Sequence, residues 1–464
     1  MGGRALVAGL VVAVLVLGGV AFAAVRGSGG SGGSGGGAEP GGTGRRPNVL
    51  VLVTDDARAE TLQAMPKTRR WLADGGVTFT QGFATTPSCC PSRASILSGR
   101  YVHNHGVLRQ RLGERLDQRT TLARHLKDAG YGTAMAGKFL NRWSLRRPPP
   151  HFDRYAQANG GYYDQLWQVD GALRRVPTYS TTFIGDQALA YLEAFEADDD
   201  RPWFLYLAPF APHDPRVPEP GYAEATFPEL DGVGGTGAEV AGAPAYLRER
   251  PPADRREVAD LRTGQLRTLL SVDDLVDRVM GRLAATGELD DTLVFYLSDN
   301  GYSWGEHRHV GKFVPYTESI KVPFLVRWPG RLPAGTVDDR LVATVDIAPT
   351  VLDAAGIAPG PGAPMDGRSL LHGRRRERLL AEYWRDQANA PGIRDWAALR
   401  TAGWQYVENY DQPGGGTFRE FYDLAGDPGM ERNLLADDDP GNDPPATLAA
   451  ELAAARTCQG ASCP

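Results

Sequence analysis

Five short apolar runs, separated by stretches of helical periodicity, constrain the fold of this chain more than any other feature. They are residues 47–53, 132–136, 203–208, 292–297 and 322–326. Each is continuous rather than alternating, as a strand covered on both faces requires. Between them, residues 120–129 place Leu122, Leu126 and Ala129 on one helical face, and residues 266–286 do the same with Leu269, Val272, Val276, Val279 and Leu283. Residues 341–355 read as a further helix. Strands alternating with helices predict an α/β domain around a large, mostly parallel sheet sandwiched by helices. After Gly373 the pattern changes to short strands over 379–384, 397–401, 404–409 and 419–424, then a closing helix over 447–455. This predicts a small C-terminal α+β subdomain with an antiparallel sheet.

The N-terminus is of another kind. Residues 5–25 are an unbroken apolar run between Arg4 and Arg26. Such a run is a signal-peptide core, with Ala21-Phe22-Ala23 as a cleavage site, or a membrane anchor, since about 20 apolar residues span a bilayer. Either way the rest of the chain is exported, to be secreted or held at the cell surface. Residues 27–44 form a Gly/Ser tether, and order is expected from about Arg46. The expected organisation is therefore 1–26 signal or anchor, 27–45 linker, 46–373 large α/β domain and 374–464 subdomain. A net charge of −6 argues against a general nucleic-acid binder. Of four cysteines, Cys458 and Cys463 most simply pair across a short loop in an oxidising compartment. Cys89 and Cys90 are left for other work, a strained vicinal disulfide being disfavoured.

Two acidic pairs follow predicted strands: Asp55-Asp56 after the first, and Asp299-Asn300 after residues 292–297. In open α/β sheets, sites form at the C-terminal ends of strands, where these pairs can meet. Three carboxylates and an amide oxygen make a hard donor set that suits Ca²⁺, with Mg²⁺ second, rather than zinc. Each pair alone reads more readily as a helix cap or turn former. Their weight comes from Cys89-Cys90-Pro91-Ser92-Arg93, which stands just before a predicted helix over 91–97 with Pro91 in its first turn. A helix N-terminus favours an anion, and Arg93 lies close by. Lys138, His213, His307 and Lys312 follow other strand ends or loops.

The pattern C-x-P-S-R-x-x-x-L-x-G-R over residues 89–100 resembles the signature of type I formylglycine-dependent sulfatases of the alkaline phosphatase superfamily. The resemblance runs from about residue 46 to the C-terminus. It is nearest to N-acetylglucosamine-6-sulfatases and heparan endosulfatases, through Cys-Cys-Pro-Ser-Arg, Gly99-Arg100-Tyr101-Val102-His103-Asn104-His105, residues 269–275 and Ser298-Asp299-Asn300-Gly301-Tyr302. The family implies that a formylglycine-generating enzyme converts Cys89, Cys90 being the variable position. It implies that Asp55, Asp56, Asp299 and Asn300, with modified Cys89, bind Ca²⁺. It also implies that Arg93, Lys138, His213, Lys312 and His307 contact substrate or nucleophile. Fixed cations would stabilise sulfuryl oxygens, and a protonated His or Lys would serve the leaving oxygen. One position departs: where many sulfatases carry a His two residues after this Lys, the chain has Leu140, then Asn141. The base for sulfate release is thereby left open.

The resemblance implies an exported sulfuric ester hydrolase acting on a sulfated sugar or glycan. Two alternatives stand beside it: a formylglycine-dependent phosphodiester or phosphonate monoester hydrolase, and a membrane-tethered sulfated-glycan binder without turnover. Residues 160–176 and 231–252 are expected as specificity loops, the second a mobile, Gly/Pro-rich surface segment.

Overall fold

Strand β1 (Asn48–Thr54) is buried along its whole length because it lies between two cores. Val49, Val51 and Val53 face one apolar cluster, and Leu50 and Leu52 face the other, the period-two division of a pleated strand. The same division holds for Leu293, Phe295 and Leu297 against Val294 and Tyr296. This two-sided burial is why the runs are continuous in sequence.

The computed structural model describes residues 46–198, 200–230, 234, 240, 242–360, 362, 364–412 and 414–464. The apolar run 5–25, its cleavage site and the tether 27–45 lie outside the described residues, as does part of the 231–252 segment. Among the described residues no helix is long and apolar enough to cross a membrane.

In chain order the strands after β1 are β2 (Val77–Phe83), β3 (Gly132–Gly137), β4 (Arg154–Gln157), β5 (Gln165–Val169), β6 (Ala172–Val176), β7 (Trp203–Ala208) and β8 (Thr292–Ser298). A two-stranded ribbon of β9 (Ser303–Trp304) and β10 (Val310–Gly311) precedes β11 (Phe324–Arg327) and β12 (Thr336–Ala343). The ten-stranded sheet has the order β12-β2-β11-β8-β1-β7-β3-β4-β5-β6. Its centre, β8-β1-β7-β3-β4, is wholly parallel. β11 and the β5–β6 hairpin run antiparallel to their neighbours.

Helix Arg255–Thr286 covers one face of the sheet. Asp254 caps its start by accepting from the Arg256 and Glu257 N–H groups, and Gly287 ends it with φ 80°. Leu269, Val272, Val276, Val279 and Leu283 bury one stripe at helical spacing. Helices Leu122–Asp128 and Ile347–Ala354 cover the other face.

The C-terminal region forms a second sheet, β13 (Leu379–Tyr383), β14 (Trp396–Arg400), β15 (Trp404–Asn409) and β16 (Phe418–Asp423), antiparallel throughout in that order. It shares a core with Phe83, Tyr101, Tyr316 and Val345 and with helix Leu448–Ala455. The Cys458–Cys463 disulfide is formed, and Cys89 and Cys90 are free and buried.

Three expectations are corrected. Residues 341–343 close strand β12, and the helix starts only at Ile347. Residues 165–176 of the expected specificity loop 160–176 are paired as the β5–β6 hairpin. The described part of 231–252 is anchored: Val240, Ala243 and Leu247 are buried in the core beneath the second sheet.

Candidate active site

The C-terminal ends of β8, β1, β7 and β3 are stitched together by backbone hydrogen bonds that continue past the strands. Asp299 N–H donates to the Thr54 carbonyl (3.0 Å), Asp55 N–H to Ala211 (3.2 Å) and Lys138 N–H to Ala208 (2.9 Å). Two glycines permit the approach. A Cβ on Gly137, φ 115°, would meet the Ala208 carbonyl oxygen at 2.0 Å, and one on Gly301 would meet that of Glu318 at 2.1 Å. Lys138 and Asn300 are thus delivered by positions that only glycine can precede or follow.

Cys89 enters from a different element. Helix Cys89–Ser98 begins at the cysteine itself, two residues earlier than expected, and all ten of its residues are buried. Cys89 Sγ donates to Asp55 Oδ1 (3.3 Å) and receives the Lys312 ammonium (2.6 Å). Lys312 also holds Asp56 Oδ1, and Lys138 holds Asp55 Oδ2. Arg93, fully buried, bonds Asp299 Oδ2 through Nε (2.8 Å) and the Lys138 carbonyl through Nη1 (3.0 Å). Cys90 points away from the acids into the core, and its N–H donates to Gln110 Oε1 (3.0 Å).

Burial raises the Asp55 pKa, but Lys138, His213, Arg93 and Lys312 outweigh it and hold this carboxyl well below the usual range. Asp299 is pushed up to about 6 by burial and by the Asp55 charge. Burial, then the Asp55 carboxylate, pushes the Cys89 thiol up to about 12. An unmodified Cys89 is therefore a protonated thiol at neutral pH and a poor nucleophile.

His213 stands at the mouth, its Nε2 3.9 Å from Asp56 Oδ2 and its ring against Phe210. His307 is not brought to the cluster. It stacks on Tyr316 at 3.7 Å and bonds the Gly429 carbonyl through Nε2 (3.0 Å), on the side of the second sheet. Two residues on, His309 lines the cavity instead. Leu140 is buried in the core, and Asn141 lines the cavity in its place.

Sequence reasoning missed Gln110, Arg250 and His309 as cavity residues. The only signal for His309 was its place in the segment after Asp299 that also holds His307 and Lys312. Arg250 was signalled only by its place in the expected specificity loop 231–252, and Gln110 carried no signal, because the fold brings it in from a separate loop. The cavity measures about 740 Å³ and has Asp56 and Lys312 at its base.

The donor set fits a divalent cation. One ligand atom each from Asp55, Asp56, Cys89 and Asp299 lie within 4.8 Å of one another. Asn300 donates through Nδ2 to Asp56 Oδ1 (2.7 Å), which leaves its buried Oδ1 without a hydrogen-bond partner beside three carboxylates. An oxygen-rich cage with an unsatisfied amide oxygen is suited to a hard ion.

The sulfatase family profile matches residues 47–357, and a profile described as N-sulphoglucosamine sulphohydrolase, C-terminal, matches residues 305–457. The chain is 33% identical over 465 residues to human N-acetylglucosamine-6-sulfatase, covering 85% of this chain and 82% of the relative. It is 34% identical over 367 residues to the extracellular sulfatase SULF-1 homolog of Drosophila melanogaster, which is 74% of this chain but 32% of that longer relative. A solved structure of a protein bound to its substrate, D-glucosamine-2-N,6-O-disulfate, has the same fold, with a TM-score of 0.71 and 24% identity over 88% of this chain and 96% of that one. With one profile spanning the ten-stranded sheet, a second reaching residue 457 and one-third identity over 85% of its length, the chain belongs to the sulfatase family and is a sulfuric ester hydrolase.

Proposed function

We propose that this enzyme removes sulfate from a sulfated glycan, with N-acetylglucosamine 6-sulfate the first candidate unit, through a formylglycine made from Cys89 and a bound divalent cation. The observation that carries the reading is the setting of Cys89 Sγ: at a helix N-terminus, between Asp55 Oδ1 and the Lys312 ammonium. The hydrate of formylglycine supplies one hydroxyl that takes the sulfuryl group and a second whose deprotonation releases sulfate, which splits one hard step into two. Asp55, Asp56, Asp299 and Asn300 would hold the cation, Ca²⁺ ahead of Mg²⁺, which supplies positive charge to the sulfuryl oxygens.

The chain's own residues divide the remaining work. Lys312 Nζ, already on the Cys89 side chain, orients the nucleophilic oxygen and stabilises charge beside it. Lys138 keeps Asp55 ionised, and Arg93 fixes Asp299 while its buried Nη2, 3.6 Å from Asp55 Oδ2, has no hydrogen-bond partner among the described residues. His213, at the mouth, is placed to give the leaving oxygen a proton at Nε2. His307 has no part in this assignment, since its ring is committed to Tyr316 and Gly429. Residues 46–373 are assigned as the catalytic domain and 374–464 as the subdomain. The extracellular name of the Drosophila relative supports export, and a formylglycine-generating enzyme is the partner the maturation needs.

Peptide mass spectrometry on the Cys89 fragment from the native host tests the nucleophile: conversion lowers its mass by about 18 Da. Paired assays on sulfate and phosphate esters test the reaction. Sulfate release that disappears in Cys89→Ala is the expected result. An intact thiol in protein that still hydrolyses sulfate esters would overturn the mechanism, and faster phosphonate or phosphodiester hydrolysis would overturn the substrate class.

A further inference from the structure

Arg250 follows the one-turn helix Ala245–Arg248 and lies half-buried on the wall of the active-site cavity. Its Nη1 donates to His309 Nδ1. That bond requires Nδ1 to be unprotonated, so the ring proton is on Nε2, which donates to the Lys312 carbonyl (2.8 Å). Burial, then the Arg250 charge, lowers the His309 pKa to about 3, which keeps the ring neutral and the acceptor in place. His309 therefore ties the guanidinium to the backbone of Lys312, whose ammonium touches Cys89.

Among the described residues no carboxylate forms an ion pair with the guanidinium. Burial lowers its pKa, and none of those carboxylates offsets that loss. A partly desolvated arginine held by a neutral imidazole is costly unless an anion completes it. Arg142 lines the same cavity. The adjoining groove, which shares Val310, is lined by Asp254, Glu257 and Asp260 and repels anions. An anionic substituent that enters the cavity is therefore drawn to the Arg250 wall.

We infer that Arg250, positioned by His309, binds a second anionic group of the substrate, so that the sugar cleaved here carries a second sulfate or a carboxylate besides the scissile sulfate. This rests on the sulfatase reading above and narrows it to a polyanionic glycan. Arg250 sets specificity, and His309 is a positioning residue. The planar fork of arginine suits either oxyanion bidentately.

The test measures binding and turnover separately on the full chain. Calorimetry with Cys89→Ala protein compares N-acetylglucosamine 6-sulfate, glucosamine 2-N,6-O-disulfate and a uronate-linked N-acetylglucosamine 6-sulfate. One of the two dianionic sugars should bind about 10- to 100-fold tighter than the monosulfate, the range expected for a hydrogen bond to a charged group. Which one does so identifies the second anion as sulfate or carboxylate. In Cys89→Ala/Arg250→Met that ratio should collapse toward one, and Arg250→Lys should restore part of it. Equal affinities, or no binding of any of the three, overturn the inference, and the first comparison needs no substitution at Arg250. The kcat/KM ratio of the mature wild-type enzyme for the same sugars should follow the affinities. Sulfate release at equal efficiency from all three refutes the inference alone. Failure of every sulfate ester, with the affinity ratio intact, refutes the hydrolytic reading alone.

Discussion

Replacing Lys312 with methionine removes a charge while keeping most of the side-chain volume, and its consequences separate stability from catalysis. The ammonium is buried, and it touches both Asp56 Oδ1 and Cys89 Sγ. Taking one partner from a buried ion pair costs about 3–5 kcal/mol, because the other charge is left desolvated. The lower end applies here, about 3 kcal/mol, since Asp56 keeps the Asn300 amide at 2.7 Å and His213 at 3.9 Å. Calcium should shrink the cost, because a cation among Asp55, Asp56 and Asp299 compensates the stranded carboxylate. Activity should behave in the opposite way. If Lys312 stabilises charge at the nucleophile, its loss lowers kcat by about 10²–10³, and no amount of calcium restores it. The assay is urea unfolding of wild type and Lys312→Met in chelator and in calcium, beside kcat on a sulfate ester. A variant as stable as wild type in chelator would refute the dependence of Asp56 on Lys312. A variant whose kcat recovers in calcium would refute the catalytic role.

Cys90→Ala should leave the conversion of Cys89 intact by mass spectrometry and cost about 1 kcal/mol of packing, whereas Cys89→Ala should abolish turnover; loss of conversion in Cys90→Ala would show that the two were wrongly distinguished. Chelation should lower the unfolding midpoint, by about 2.7 kcal/mol relative to metal at 100 times its Kd, and Asn300→Leu should remove most of that difference. Asp254→Ala should cost about 1 kcal/mol, read by urea unfolding, through the lost cap of helix Arg255–Thr286, with kcat unchanged. Burial lowers the His103 pKa, but its bond to Glu382 and the Glu382 charge raise it above 6.5 overall. The stabilisation is therefore complete below 6.5 and is lost as pH rises through the folded value, so the urea-midpoint gap between wild type and His103→Gln should narrow from pH 6 to pH 9; a pH-independent gap would contradict the ion pair.

The parts of the fold that were legible are those whose burial is written as periodicity. β1, β7 and β8 were continuous apolar runs because both faces are covered, and the four strands of the second sheet were found within one residue at each end. β12 was missed because it is an edge strand: Thr336 to Arg340 read Thr-Val-Asp-Asp-Arg, and the register shifts between Asp338 and Leu341. Its pairing with β2 is a tertiary contact that no local pattern encodes. The acid pairs and Cys89 were legible because they sit at strand ends and a helix start, where chemistry follows from topology. His307 is kept from the cluster for a local reason. Its backbone is left-handed, φ 52°, and the ring turns to Tyr316 while His309 takes the cavity side. Which of two histidines in one turn faces a site is decided by that dihedral.

The charges of the cluster explain how so acidic a site can be built into a core. Asp55, Asp56 and Asp299 bring three negative charges, and Arg93, Lys138 and Lys312 bring three positive ones, all buried. The protein side of the site is therefore neutral by count, which keeps its burial tolerable in the absence of a ligand. A divalent cation held there would raise the local charge to +2. A sulfate monoester brings one negative charge, and a second develops as the attacking hydroxyl gives up its proton and charge passes to the leaving oxygen. The excess is thus matched only when both are present, at the point along the reaction where charge is greatest, and less well by the ester alone. On the mechanism proposed above, this balance would favour the transition state over the bound substrate. It also gives the Arg250 wall its meaning: the charge at the base of the cavity is committed to the reacting group, so a second anion on the sugar has to find its own cation.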